Sequence, residues 1–456
     1  MAVRSRGCAL ALVLAASLLS GCSTPSATAQ QPAFLPVNSA SRPDTSSPAG
    51  YIKHVVIVIQ ENRSFDNIFA GFPGADTQMY GYMHNGTKVA LEPIPFAPHD
   101  MYHTWESAIM DWDNGKMDQF DLNGNVEYGG TAGAFAYSYL ERSAVAPYWA
   151  MAKQYVLADH MFPTMFGPSY TAHLTLIAGT ADLSPTESEA NIPSVMPWGC
   201  DAPAGTTSST VNAERVVSSA GPFPCFTQFR TLADTLDAAN VSWKYYAPVV
   251  GGKILGGLWS AFDSIKNVRY SPDWKKNVIS PPQRILTDAA HGHLASVSWV
   301  VPDYDWSDHP FAGTPYGPSW VASVVNAVGK SPDWNSTAII VVWDDWGGFF
   351  DNVPPPQRDF RGLGIRVGCI IISPYVKPHV EHRTYEFGSI VRFVEEAFNL
   401  DSLGTISEGY TDTRAASLRD SFNFKRTPRS FKAIPAPYPP SFFMGHPPSM
   451  HAPDSD

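Results

Sequence analysis

Five short segments of this chain concentrate groups that bind cations or move protons. Glu61 and Asn62 close the apolar run "HVVIVIQ", and Asp344 and Asp345 close the apolar run "STAIIVVW". Carboxylate and amide oxygens at such a place suit a hard divalent cation. Adjacent acids raise each other's pKa unless a cation holds them ionised, so Asp344-Asp345 reads as part of a metal cradle. Gly347 and Gly348 follow, permitting a tight turn and close backbone approach. In "FGPSYTAHLTLIAGT", Gly167-Pro168 forces a turn, Ser169 comes next, and a helical pattern runs on to Gly179. A serine at a helix N-terminus sits where free amides and the dipole favour an alkoxide or a bound phosphate. The last set places histidines beside acids: His103 in "HDMYHTWESAIMDWDNGKMDQF" and His309 in "VPDYDWSDHPFAG". Their imidazoles suit orienting a phosphoryl oxygen or protonating a leaving group.

The same residues also have plain structural uses. Asn62 or Ser64 would cap a helix starting near Phe65, Ser169 would cap its own helix, and Asp344-Asp345 would be solvated loop acids. A cap accounts for one polar residue but not for a carboxylate beside an amide at a strand end.

These groups act together only if the fold carries them to one place. The runs "HVVIVIQ", "VSWKYYA", "ASVSWVV", "STAIIVVW" and "IRVGCIIIS" predict strands. "TQFRTLADTLDAAN", "GPSWVASVVNAVGKS" and "YEFGSIVRFVEEAFNL" predict amphipathic helices between them. Apolar strands alternating with helices predict an α/β fold, a largely parallel central sheet with helices on both faces. Functional groups in such sheets collect beyond the carboxyl ends of the strands, where Glu61, Asn62, Asp344, Asp345 and Asp308-His309 all fall.

With 456 residues, 44% hydrophobic and 16% charged, the chain buries a large core and is not disordered. Its formal charge of −11 argues against nucleic acid as a partner through bulk electrostatics. Arg4, Arg6 and "CALALVLAASLL" predict a signal peptide over residues 1–21. Leu19-Ser20-Gly21-Cys22 resembles the bacterial lipobox, and is read as a lipoprotein signal rather than an ordinary one beside a chance cysteine. An exported protein, anchored to the cell envelope by lipid at Cys22 or periplasmic, is therefore expected, its charge −13 after losing the two arginines. Residues 22–50 read as a flexible tether, 51–429 as the α/β domain, 183–228 as a loop-rich insertion, and 430–456 as a Pro-rich extended tail. Cys200 and Cys225 bracket much of the insertion and would close a disulfide in an oxidising compartment. Cys369 reads as a buried small hydrophobe.

Taken in order, "ENRSFDNIF", "HTWESA", "NGKMDQF", "GPSYTAH", "SDHP" and "DDWGGFFDNVPPP" resemble a bacterial phosphoesterase family. That family contains phosphatidylcholine-type phospholipases C and periplasmic acid phosphatases. "YEFGSIVRFVEEAFNL" matches its C-terminal helix, and the resemblance spans residues 51–422. It implies an alkaline-phosphatase-like core and one divalent metal ion, Ca, Mg, Mn or Zn, with a second ion allowed for. It also implies that Glu61, Asn62, Asp344, Asp345 and Ser169 hold the metal, that Ser169 is the nucleophile, and that His103 and His309 face the phosphoryl group. The activity implied is metal-dependent hydrolysis of a phosphate mono- or diester, phospholipids included, through a phosphoseryl intermediate. The chain departs from the family pattern in places. Asp345, Trp346 and Asn352 stand where Asp-Glu-His-Gly-Gly and Asp-His-Val are common, which is expected to remove polar contacts near the substrate. Ala172-His173 stands where Asn-Arg or Asn-His is frequent, making His173 a candidate member of the site. "WKYYAPVVGGKILGGLW" is expected to be mostly core, or else an apolar face for a diester. A non-enzymatic surface lipoprotein binding glycan or a protein partner is the alternative, and it leaves acids at two separate strand ends unexplained.

Overall fold

Runs of β-branched and aromatic residues build the sheet that organises the molecule. The computed structural model describes residues 47–96, 99–250, 254–255, 259–447 and 449–451. The signal segment, Cys22 and most of the tether lie outside the described residues. The strands of the main sheet are β1 (His54–Gln60), β2 (Val156–Phe162), β3 (Trp243–Tyr246), β4 (Val278–Ile279), β5 (Val297–Val300), β6 (Thr337–Trp343), β7 (Val367–Ile372), β8 (His379–Glu381) and β9 (Tyr385–Glu386). Their order is β4-β3-β5-β1-β6-β7-β2-β8, and β9 also pairs with β2. Every strand runs the same way except β7, which is antiparallel to both β6 and β2. Every residue of β6 is buried, as a central strand covered on both faces requires. Each fully buried Val or Ile contributes about 1.5–3 kcal/mol.

The reversal of β7 has a topological cause. Residues 344–366 contain no helix, so the chain after β6 does not cross back over the sheet and re-enters from the edge where it left. Strand β2, "VLADHMF", is not among the strands predicted from apolar runs, because Asp159 and His160 interrupt it. It is the strand that leads to Ser169.

The helices that matter for the site are α1 (Phe65–Phe69), α2 (Trp105–Trp112), α3 (Ala146–Gln154), α4 (Ser169–Ala178), α5 (Gly317–Lys330) and α6 (Phe387–Phe398). Helix α4 packs on α6, and α3 packs on α5. All residues of α4 are buried, and Gly179 ends it in the left-handed conformation (φ 65°) that favours glycine after a helix. Ser64 caps α1 by accepting from the Asn67 N–H (3.1 Å), so the cap role falls to Ser64 and Asn62 is left for other work.

The insertion is not all loop. Asp182–Ser184, Glu187–Glu189, Thr210–Asn212 and Val217–Ser218 form a small antiparallel sheet, and Cys200 is bridged to Cys225. Cys369 is buried in β7, and burial pushes its thiol pKa up. The segment expected as an extended tail contains a short helix, Pro440–Gly445. Phe443 anchors it, fully buried with its ring 5.3 Å from that of Trp306 and 5.5 Å from that of Trp320.

Candidate active site

Strands β1, β2, β5 and β6 run in one direction, so their carboxyl ends share one sheet edge and the segments that follow them meet there. Asn62 leaves β1 with a left-handed backbone (φ 50°), uncommon for a residue with a side chain, and its N–H donates to Asp344 Oδ1 (2.9 Å). The turn after β6 lies directly against it. A Cβ on Gly347 (φ 61°) would sit 2.2 Å from the Asn62 carbonyl oxygen, so only glycine allows the two turns to touch.

The Asn62 amide is the centre of the polar group. Its Nδ2 donates to Ser169 Oγ (3.2 Å), Asp345 Oδ2 (3.2 Å) and His103 Nε2 (2.8 Å). Ser169, the first residue of α4, donates in turn to Asp345 Oδ2 (3.3 Å). His103 Nδ1 donates to the Met101 carbonyl (2.8 Å), which leaves Nε2 as an acceptor. His309 has the opposite tautomer: its Nδ1 accepts from the Phe311 N–H (3.3 Å), so Nε2 carries the hydrogen. The two rings meet edge to face, 5.9 Å between centroids. Asp100 lies beside both, 3.8 Å from His103 Nδ1 and 4.0 Å from His309 Nδ1. Trp259 and Tyr304 pack around His309.

His173, one turn along α4 from Ser169, completes a second grouping. Its Nε2 lies 3.2 Å from Glu61 Oε1 and 3.7 Å from Asp344 Oδ2. One ligand atom from each of Glu61, His173 and Asp344 falls within 4.8 Å of the others, and all three residues are buried. Burial pushes the His173 imidazole down to about 4 against the pull of the Asp344 carboxylate, so the ring is neutral at pH 7 and offers a lone pair. Asn62 Oδ1 and Asp344 Oδ2 are buried and make no hydrogen bond, at a cost of about 1–3 kcal/mol for each such group. Ligand atoms that converge, with buried oxygens left unsatisfied, fit a divalent cation, and the imidazole makes the set mixed nitrogen and oxygen.

All the residues predicted for the site are thus brought together, and His173 joins them. One expectation changes. Asn352 is not near the nucleophile: it donates to Asp76 Oδ1 (3.2 Å) and accepts from Arg366 Nη2 (2.9 Å), so its replacement of a histidine alters an ion cluster rather than a substrate contact. Trp346 does stand at the site, its ring edge-on to His103 and its indole donating to Asp111 Oδ2 (2.9 Å). Asp100, Trp259 and Tyr304 carry no local mark of a site residue in the sequence, apart from the closeness of Asp100 to His103 in "HDMYH". Ser169, Asn62, His103, His309, Asp344 and Asp345 are each no more than 1% exposed, so the centre is enclosed.

The sequence model of the Phosphoesterase family matches residues 52–401. The chain belongs to the Phosphoesterase family. This phosphoesterase is 25% identical over 434 residues to "Phospholipase C A" of Mycobacterium tuberculosis, covering 83% of this chain and 78% of that one. It is 24% identical over 416 residues to the "Hemolytic phospholipase C" of Pseudomonas aeruginosa, covering 81% of this chain and 55% of that longer protein. A solved structure of a protein in the alkaline phosphatase superfamily from Vibrio parahaemolyticus is a distant likeness, with a TM-score of 0.39, 11% identity, and 82% and 73% of the two chains covered. The α/β architecture stands on the strand order itself. This phosphoesterase is a phosphoric ester hydrolase.

Proposed function

We propose that this phosphoesterase is a metal-dependent hydrolase of phosphodiesters, of the phospholipase C type, acting through Ser169 and a phosphoseryl intermediate. The observation that carries the reading is the Ser169 hydroxyl at the first turn of α4, bonded to Asn62 and Asp345 beside the Glu61–His173–Asp344 grouping. Glu61, Asn62, His173, Asp344 and Asp345 would hold the cation together with the serine oxygen. When bound, the cation supplies positive charge that makes the serine more acidic and neutralises the phosphoryl oxygens.

The chain's own groups do the rest. The Ser169 proton points at Asp345 Oδ2, so it has an acceptor as Oγ attacks phosphorus; the bond to the leaving oxygen breaks in line, and that oxygen takes up the proton from Asp345 and leaves as the alcohol. Free amides of the first turn of α4 and the His309 Nε2–H donate to the equatorial oxygens. His103 Nε2, an acceptor in the resting site, takes a proton from the water that attacks the phosphoseryl group. The serine–phosphorus bond then breaks, His103 passes its proton to Oγ, and the phosphorylated headgroup leaves.

The diester preference is supported by relatives named phospholipase C. A phosphomonoesterase is the second reading, favoured by the enclosure of Ser169, which is fully buried. Hydrolysis of p-nitrophenylphosphorylcholine against p-nitrophenyl phosphate separates them: turnover of the first is expected, and turnover of the second alone makes the enzyme a monoesterase. Undiminished turnover in metal-replete Ser169→Ala would sink the nucleophile assignment. We further place the protein outside the cytoplasm, lipid-anchored at Cys22, a reading supported by the lipobox-like sequence and by the Cys200–Cys225 bridge.

A further inference from the structure

The peptide that carries His309 is tied into the interior by its neighbour Asp308. That side chain is fully buried. Its Oδ2 accepts from the Tyr148 hydroxyl (2.7 Å) on α3 and from the indole of Trp343 (2.9 Å), the residue before Asp344. Its main-chain carbonyl accepts from Nε of Arg63 (2.7 Å), the residue after Asn62. Arg63 is itself gripped by aromatic rings, its guanidinium 4.6 Å from the centroid of Phe349 and 5.5 Å from that of Phe96. The other carboxylate oxygen lies against the first residue of α5, where the helix dipole favours an anion. A Cβ on Gly317 would sit 2.1 Å from Asp308 Oδ1, so only glycine there leaves room for the carboxylate, whose Oδ1 is buried and makes no hydrogen bond.

We propose that Asp308 is a positioning residue: it fixes His309 relative to Asn62 and Asp344 by accepting hydrogen bonds from the side chains next to each of them, from Arg63 at its carbonyl and from Trp343 at its carboxylate. The proposal rests on the phosphoryl-transfer reading above, in which His309 donates to a phosphoryl oxygen. The ends of β1, β5 and β6 meet at this one residue, so a shift at any of them is transmitted to the others. Misplacing a catalytic group by about 1 Å costs on the order of 100-fold in rate.

Turnover per folded chain, KM and the thermal midpoint are measured for Asp308→Ala, Asp308→Asn, Tyr148→Phe and Trp343→Phe in metal-replete enzyme. Asp308→Ala is expected to lower kcat about 100-fold with KM within about threefold, the signature of a group acting only in the transition state. Asp308→Asn keeps an acceptor for both donors and is expected to lose about 3- to 10-fold, as is each single donor variant. Either donor change adds little to an Asp308 variant, since each removes the same tie. Wild-type turnover per folded Asp308→Ala chain, with only a lowered midpoint, overturns the proposal. So does an Asp308→Asn loss as deep as that of Asp308→Ala that excess divalent cation restores, which would mark a metal ligand. If Asp308→Ala does not fold, additive losses in the Asp308→Asn, Trp343→Phe pair overturn the proposal and non-additive ones support it. Failure of the underlying reading shows elsewhere, as an active Ser169→Ala enzyme.

Discussion

Residues 61–66 and 344–351 each supply acids to two buried clusters a few residues apart. Asp66 and Asp351 meet Arg366, whose Nε donates to Asp351 Oδ1 (2.9 Å) and whose Nη2 lies 3.6 Å from Asp66 Oδ1. The guanidinium is satisfied further by the carbonyls of Asp76 and Asp159 (2.8 Å each) and lies over the Phe65 ring. Glu61 and Asp344 instead meet His173, a ring held neutral by burial. The first cluster carries its own cation and serves the scaffold: Arg366 joins the start of β7 to α1 and to the loop after β6. The second offers converging ligand atoms around a neutral ring, and is built to take its positive charge from outside. Proximity in sequence does not decide which acids do chemistry; the neighbour that faces them does.

Breaking the first cluster should have the largest effect. Arg366→Met leaves the buried Asp66–Asp351 pair without its cation and is expected to cost about 3–5 kcal/mol, a large share of a typical domain's stability. Urea unfolding measures it, and wild-type stability would end the contrast. At the second cluster, Glu61→Gln or Asp344→Asn should lower turnover by about a thousandfold or more, while stability of the metal-free protein changes by no more than about 1 kcal/mol. A comparable loss of stability there would mean that both clusters are scaffold. Adding divalent cation to chelator-treated protein should raise its stability by about 2.7 kcal/mol at a hundred times Kd, and leave Asp344→Asn unmoved. Scanning calorimetry with and without the ion tests this.

The smallest expected effect is a pH dependence. Burial and the neighbouring Asp351 hold the Asp66 carboxyl well above its ordinary value, despite Arg366. The folded state therefore keeps a proton that the unfolded state releases. That contribution favours the fold in acid and is lost as pH rises from the ordinary carboxylate range through the native pKa. Asp66→Asn should flatten this decline above the ordinary carboxylate range, a slope of no more than about 1.4 kcal/mol per pH unit. An unchanged slope in urea midpoints would show that Arg366 neutralises the pair more completely than the burial argument allows.

Much of the centre was legible because the fold concentrates its chemistry where apolar runs stop. Glu61, Asn62, Asp344 and Asp345 each follow such a run, and Ser169 follows a forced turn. Strand β2 was not legible, since the partners of its polar residues are remote: Asp159 accepts from the Asp76 N–H (2.8 Å) and pairs with His382 (2.9 Å), while His160 bonds the His382 carbonyl (2.9 Å). Nothing local announces those contacts. The role of His173 was half legible. Four residues after Ser169 on one helix, it must share the face of the nucleophile, but only the packing of α4 against the end of β1 shows that Glu61 lies opposite. The distinction between positions 346 and 352 was beyond the sequence, because both follow the same strand and only the path of the intervening chain sends Asn352 to Arg366.

The central claim, that an external cation completes the Glu61–His173–Asp344 centre and makes Ser169 a nucleophile, is tested most directly by one titration. Chelator-stripped enzyme is assayed on p-nitrophenylphosphorylcholine and p-nitrophenyl phosphate while divalent cation is returned and bound metal is counted per chain. The account predicts negligible turnover in the stripped enzyme, recovery that saturates as the centre fills, and no recovery in Glu61→Gln. Full turnover in demonstrably metal-free protein would contradict it.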